Sequence, residues 1–543
     1  MKHYSMAIFL LLFIVSIFHF QLQVLSSHTI PNQDVSYMKF VEDAKDLPEK
    51  EEYDYIIVGG GTAGCPLATT LSSKFSVLLL ERGSEPNKFP SVLVEEGLLN
   101  AFAAEDDDKN PFQRFISEDG VENLRGRVLG GSSMINAGFY SRGHREYFEK
   151  AGVEWDMELV EKAYQWVEET VVSRPSLSAL QPTFRSALLE SGVLPDNGFG
   201  LRHLVGTRIG GSIFDGKGNR HGAVELLNKA NPTNLKVAIR ATVERIIFSG
   251  LSASGVSYSD SEGKLHTAFI RNKGEIILSA GAIGSPQLLL LSGIGPKSQL
   301  SSLKLPVVLH QPYVGEFMSD NPRFGPSIVL PFPFVPTSAK VVGTLENNIH
   351  LQTVASPLPF SIPPSFSLLP PQSNSVNLSL VIFTGKFSEV LSEGSLRLNS
   401  STDVKKSPIV RFNYYSHPDD LARCVVGVRK MGDLIKTPTM EKIKTRDFEG
   451  KKVFQFIGPS LPENLSDDST VGEFCHKSLT TYWHYHGGCL VGKVVDGDYR
   501  VIGIGNLRVV DGSTFIDSPG TNPMATLMML GRYVGLKVLQ QRY

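Results

Sequence analysis

Through much of the chain, apolar residues come in short runs broken by glycine turns. Tyr53-Asp54-Tyr55-Ile56-Ile57-Val58 is a β-rich run leading into Gly59-Gly60-Gly61-Thr62-Ala63-Gly64, and a helix-like run follows from Cys65 to Leu71. Ser76-Val77-Leu78-Leu79-Leu80 reads as a second strand, ending in Glu81-Arg82-Gly83. Strand, glycine loop, helix, strand and acid in this order predict a dinucleotide site. Gly59 makes the turn, Gly61 lets the backbone approach a pyrophosphate, and Gly64 lets the helix pack on the strand. The helix N-terminus offers N–H groups and a positive dipole end to phosphates. Glu81 can accept hydrogen bonds from a ribose diol.

The same texture returns twice. Strands are expected at Leu235–Ile239, Val243–Phe248 and Glu275–Ser279, the last running into a glycine turn and the apolar helix from Gly281. Val509-Val510-Asp511-Gly512-Ser513 is again a strand meeting a turn, and Thr521-Asn522-Pro523 opens a long apolar helix, Met524 to Leu539, with proline suited to a first turn. Between these lie amphipathic helices over 151–200, for example Glu158 to Val172. From about 310 to 470 prolines cluster and strand-like runs alternate with loops, with helical character at Asp419 to Ile435. The pattern predicts an α/β fold: a doubly wound, Rossmann-type domain interleaved with an α+β substrate domain built on a β-sheet.

Two stretches carry the candidate chemistry. Arg125 to Tyr140 combines glycines, small side chains and the amide of Asn136, and could hold a flat ring by its N–H groups. Tyr482-Trp483-His484-Tyr485-His486-Gly487-Gly488 places imidazole, the group best suited to move protons near neutral pH, between large aromatics and paired glycines. His486 reads as structural. Tyr482 either lines a substrate cavity or packs beside Trp483.

Composition adds limits. The chain has 543 residues, 41% hydrophobic and 20% charged, enough for a large core. A net charge of -2 gives no electrostatic case for nucleic acid or an anionic membrane. Met6 to Phe18 is almost wholly apolar and short for a bilayer, so residues 1–27 read as a secretory signal, with the secretory pathway and then the cell exterior, wall or vacuole as destination. Sequons at Asn377, Asn399 and Asn464 agree with that route. Of four cysteines, Cys424 and Cys475 flank polar segments and can pair in an oxidising compartment, while Cys65 reads as a small buried filler. No metal-ligand spacing occurs, and no metal is expected.

Taken together, these motifs resemble the glucose-methanol-choline family of FAD enzymes over residues 53 to 543. Within it, the His484 stretch and the overall length look most like the plant (R)-mandelonitrile lyase group. The resemblance implies FAD as cofactor, an FAD-binding domain at 53–310 and 471–543 with a helical insertion at about 151–200, and a substrate-binding domain at 311–470. It implies that Thr62, Ala63, Glu81 and Arg82 hold the adenosine end and Val243 the adenine. Val128, Ser132, Asn136, Ala137, Gly138 and Phe139 would line the flavin, and Trp483, Asp511, Gly512, Asn522 and Pro523 would close the site. His484 matches the family's catalytic histidine, and Asn522 falls where the family carries a second histidine or an asparagine. The lyases have histidine there, and also a substrate-contacting cysteine, whose place Thr353 is expected to take.

These departures frame two chemistries. His484 takes a proton from a substrate hydroxyl in both. Cyanohydrin cleavage to aldehyde and HCN then needs a group to protonate cyanide, which an amide cannot do at neutral pH. An alkoxide held between His484 and an amide donor suits hydride transfer. The expectation is a monomeric enzyme oxidising a small hydrophobic or aromatic alcohol, with O2 as a candidate acceptor. A mandelonitrile lyase is the first alternative and a non-catalytic flavoprotein the second.

Overall fold

In the computed structural model, residues 34–97, 110–178, 180–330, 337–357, 379–447 and 449–542 are described. The expected signal at 1–27 and the sequon at Asn377 lie outside them. Eight strands among these residues form one sheet, in the order Val41–Asp43, Leu235–Ile239, Val77–Leu80, Lys50–Val58, Leu265–Leu278, Ser252–Ser259 and Thr242–Ser249, with Leu507–Val509 also paired to Leu265–Leu278. The first five run parallel, and the last two form an antiparallel edge. Tyr55 to Val58 and Val77 to Leu80 are buried without alternation, because helices and loops cover both faces of a parallel sheet.

One element is longer than its pattern predicts. The strand expected at Glu275–Ser279 begins ten residues earlier, at Leu265. Its middle carries Arg271, Asn272 and Lys273, which hide the apolar periodicity, and the ladder to Lys50–Val58 shifts register between Ile270 and Glu275. The first half pairs with Ser252–Ser259, the second with Leu507–Val509.

A second sheet has the order Gln455–Ile457, Ser327–Leu330, Ser379–Phe387, Ile349–Pro357, Val341–Thr344, Gly206–Ile209 and Asp196–Phe199. One face packs on the helices Pro418–Ile435 and Leu180–Glu190 in a core of its own, including Phe184, Val381, Phe383, Phe387, Val428 and Met431. Strand alternation turns Val342 and Val354 to the other face, where they pack with Phe139 and Ala339. The described residues from Val35 onward form one compact unit.

Cys424 and Cys475 are bonded, with Cα atoms 6.2 Å apart, and join the helix Pro418–Ile435 to the helix Asp468–Lys477. Both are buried in the second core, despite their polar flanks. Closing a loop of 51 residues constrains the unfolded chain by ~4 kcal/mol. Cys65 and Cys489 are free and buried. Asn399 and Asn464 are exposed. No helix among the described residues is long and apolar enough to cross a membrane, and no cluster of three histidine, cysteine or acidic residues among them could hold a metal ion.

Candidate active site

Parallel strands end together along one edge of the first sheet. Gly59 follows Val58, Glu81 follows Leu80, Ser279 follows Leu278 and Asp511 lies two residues past Val509. Open α/β sheets bind ligands at this edge. Here a cavity of about 760 Å³ runs from Val243 past the glycine loop to Trp483, a size usual for cofactor and ligand sites.

The two glycine stretches meet there. Gly130 N–H donates to the Gly60 carbonyl at 2.7 Å. Gly59 has φ +107°, and an added Cβ would lie 2.3 Å from the Ser279 carbonyl oxygen. At Gly64 an added Cβ would lie 1.9 Å from the Gly59 carbonyl oxygen. These two glycines serve the protein's own packing. At Gly61 the nearest protein atom to an added Cβ is the Gly131 Cα at 3.7 Å, and the free side faces the cavity. Gly61, Thr62 and Ala63 sit at the N-terminal end of the helix Gly64–Ser72, where N–H groups and the helix dipole favour phosphate.

The Glu81 carboxylate accepts from Gly60 N–H at 2.9 Å and from Gly83 N–H at 2.7 Å. It therefore braces the loop while retaining lone pairs toward the cavity it lines. Burial raises its pKa against these two bonds. Arg82 turns to Gln113 and the Gly126 carbonyl. Asn136 Oδ1 accepts from Gly138 N–H at 2.9 Å and Arg220 Nη1 at 3.0 Å, so its amide is fixed by protein partners. The Asp511 carboxylate takes Ser513 N–H and Gly281 N–H, tying two strand ends together.

Most of the expected residues line this one cavity: Gly59, Gly61, Thr62, Ala63, Glu81, Arg82, Ser132, Asn136, Ala137, Gly138, Phe139, Val243, Tyr482, Trp483, His484, Asp511, Gly512, Asn522 and Pro523. Gly64 and Val128 do not. Gly64 sits behind the loop, and Val128 is fully buried beside Ser84. Thr353 is a correction. It is fully buried behind the wall, opposite the core residue Phe383, and its hydroxyl donates to the Ile382 carbonyl at 3.2 Å. The strand turns Gln352 and Val354 into the cavity instead. Thr353→Val is expected to cost ~1 kcal/mol of stability through that lost bond and to leave KM unchanged, which melting curves and steady-state kinetics together check.

At the far end the protein fixes the state of His484. The amide of Asn321 is oriented by donation from Nδ2 to the Phe387 carbonyl at 2.7 Å. Its Oδ1 therefore faces His484 Nδ1 at 3.2 Å, which must carry the hydrogen. Nε2 is left unprotonated. Burial, then the nearby Lys386 and His486, holds the imidazole's pKa well below its ordinary value, so it is neutral at pH 7. Asp320 accepts from His484 N–H at 2.9 Å and from Thr481 Oγ1 at 2.6 Å, and its own pKa is raised by burial to about 6. Trp483 sits between these anchors with φ +57°, a strained conformation for an aromatic residue, half-exposed and stacked under the Arg323 guanidinium at 5.2 Å. His486 exchanges backbone hydrogen bonds with Ser319, as a structural turn residue would, but its ring also lines the cavity, with a pKa lowered by burial to about 4.

The Tyr482 hydroxyl is spent within the protein. It donates to Gln352 Oε1 at 2.8 Å and meets Thr384 Oγ1 at 2.9 Å. Asn522 Oδ1 accepts from Gln352 Nε2 at 3.2 Å. Sequence reasoning did not find Asp320, Asn321, Gln352, Thr384 or Lys386. The polar pair Asp320-Asn321, between apolar Phe317-Met318 and Pro322, was the one local signal available.

A phosphate-binding helix end, an acid at the second strand and a buried neutral imidazole in one cavity define a nucleotide-cofactor enzyme of the doubly wound class. Comparison with known proteins gives the family. The two models of the GMC oxidoreductase family match residues 53–323 and 390–531. The chain is 53% identical to (R)-mandelonitrile lyase 1 of Prunus serotina, over 96% of this chain and 92% of that protein. It is 51% identical to the sinalpyl alcohol oxidase Nec3 of Nesocodon mauritianus, over 98% and 97%. Among solved structures, pyridoxine 4-oxidase has a TM-score of 0.74 at 21% identity, covering 90% of this chain and 99% of that one. A fungal aryl-alcohol oxidase has a TM-score of 0.70 at 20% identity, covering 91% and 100%. The chain belongs to the GMC oxidoreductase family. Its cofactor is FAD, and the open side of Gly61, the N–H groups at Thr62 and Ala63 and the acceptor Glu81 fit that group.

Proposed function

We propose that this enzyme oxidises a small hydrophobic or aromatic alcohol to the aldehyde. The carrying observation is the pairing of an unprotonated His484 Nε2 with the amide of Asn522 in one cavity. His484 takes the hydroxyl proton at Nε2, and Nδ1 stays on Asn321. The Asn522 amide donates to the alkoxide oxygen and steadies its charge. Bound FAD supplies the hydride acceptor. The apolar wall of Phe139, Val354 and Ile382 suits an aromatic or alkyl substituent and keeps water from the carbon. We propose O2 as the final acceptor and a monomer as the working form.

Cyanohydrin cleavage is the second reading, favoured by identity to the Prunus lyase. It needs a group to hand a proton to cyanide. Asn522 cannot do so, and His486, with its pKa near 4, carries no proton to give at neutral pH, so the proton would have to come back from His484 Nε2, which took it from the hydroxyl. The test is an anaerobic flavin spectrum with benzyl alcohol and then racemic mandelonitrile. Bleaching by the alcohol supports oxidation. Benzaldehyde and cyanide released over an oxidised spectrum would overturn it, and no response to either substrate would leave a non-catalytic flavoprotein. The buried disulfide and the exposed Asn399 and Asn464 support a secreted, glycosylated product.

The pH profile is a second check. Since the pKa of His484 is depressed, the base is lost only as pH falls through a value below 6.5. The acid limb of kcat/KM is expected there, and a limb at or above 6.5 would contradict a buried neutral base.

A further inference from the structure

We propose that Gln352 is a positioning residue that aims the Asn522 amide, so that its NH2 end faces the oxygen of the substrate. The side chain is 4% exposed and all its hydrogen-bonding capacity toward neighbours is directed. Oε1 accepts from the Tyr482 hydroxyl at 2.8 Å. Nε2 donates to His350 Nε2 at 3.0 Å and to Asn522 Oδ1 at 3.2 Å. Two N–H bonds and two acceptors match one to one. With Oδ1 of Asn522 occupied, its Nδ2 hydrogens are the end left for a ligand in the cavity that Asn522 lines.

The direction is carried from further back. His350 is fully buried and neutral, its pKa held well below the ordinary value by burial and then by the Lys386 cation. An imidazole that accepts at Nε2 holds its hydrogen at Nδ1, and Nδ1 lies 3.1 Å from Thr344 Oγ1. Donation therefore runs both ways from the Gln352 amide: Gln352 gives to Asn522 and to His350, and His350 gives to Thr344. Asn522 lies just ahead of the last helix, Met524–Gln541, whereas Gln352 and His350 belong to the second sheet. The sheet thus sets which end of a catalytic amide the substrate meets. A site with this polarity selects ligands that present an oxygen acceptor to it.

The inference rests on the proposed function only in taking a substrate oxygen as what Asn522 meets. Its test separates polarity from shape. Gln352→Glu keeps the size but offers Asn522 only an acceptor, so the Asn522 amide turns and shows Oδ1 to the cavity. Gln352→Leu removes both donor and acceptor and lets Asn522 take either orientation. Benzaldehyde, whose oxygen only accepts, is titrated into the FAD-loaded protein and followed by the shift of the flavin absorbance. The expected order of affinity is wild type, then Leu, then Glu, with Glu weaker than wild type by ~10-fold or more, the size of one well-placed hydrogen bond reversed. In an Asn522→Ala background the Gln352→Glu effect is expected to shrink to within about twofold, because the coupled partner is gone. A packing role reverses the order, since Glu is isosteric and Leu is not. That order, or an undiminished Glu effect in Asn522→Ala, would overturn the proposal. Aldehyde binding needs no turnover, so a protein that cleaved cyanohydrins would report the same order, and the two readings fail separately. If Gln352→Glu does not fold, the Gln352→Leu and Asn522→Ala pair in the same cycle decides: additive losses overturn the proposal, and a shared loss upholds it.

Discussion

Replacing His484 by alanine is expected to lower kcat for alcohol oxidation by ~10³-fold, the weight of a general base, with FAD content and melting midpoint nearly unchanged. The turn survives because its anchors are backbone groups: His484 N–H donates to Asp320, and His486 pairs with Ser319. Asn321 Oδ1 is not orphaned, since Ser518 Oγ still donates to it at 3.1 Å. The change therefore removes Nε2 and little else. His484→Asn makes the argument sharper. Its amide can replace the bond to Asn321 but cannot take a proton at neutral pH, so a comparable loss is expected. Flavin reduction followed in a rapid-mixing experiment isolates the step. A loss below about tenfold in both variants would remove His484 from the role of base.

Where local chemistry defines a residue's task, the sequence was enough. Gly59, Gly61 and Gly64 and the acid at Glu81 are placed by the βαβ pattern, and Asp511 by the family resemblance. All but Gly64 line the cavity, and Gly64 does the packing its position in the pattern demands. The residues that set the state of His484 and Asn522 left no such trace. Asn321 reaches His484 across 163 positions and Gln352 reaches Asn522 across 170. Such pairings are made by the fold, with no period or spacing to announce them. Thr353 shows a subtler failure. Its place rested on the family resemblance alone, and the strand Ile349–Pro357 that carries it is buried on both faces, one against a core and one against the cavity, so alternation gives no parity to tell Thr353 from Gln352. The same limit hid the first half of the strand Leu265–Leu278, whose charged centre breaks the apolar run.

Gly61→Leu is expected to yield a folded protein that purifies without flavin. Gly59, Gly61 and Gly64 look alike in sequence, but the space around them differs. A Cβ at Gly61 approaches no protein atom closer than 3.7 Å, and a leucine there extends into the cavity. The cost falls on the cofactor, whose pyrophosphate needs that backbone bare. At Gly64 a Cβ would sit 1.9 Å from the Gly59 carbonyl oxygen, so Gly64→Ala strikes the loop itself and costs the protein roughly 1–3 kcal/mol or more in displaced backbone. The reference for both is wild type stripped of FAD. Against it, the melting midpoint of Gly61→Leu should be unchanged and that of Gly64→Ala several degrees lower, by ~2–4 °C per kcal/mol for a chain of this size or smaller shifts still. Absorbance of the purified variants near the flavin bands reads cofactor content directly. Flavin retained by Gly61→Leu at wild-type occupancy would mean that the pyrophosphate lies elsewhere and that the open side of the loop serves no ligand.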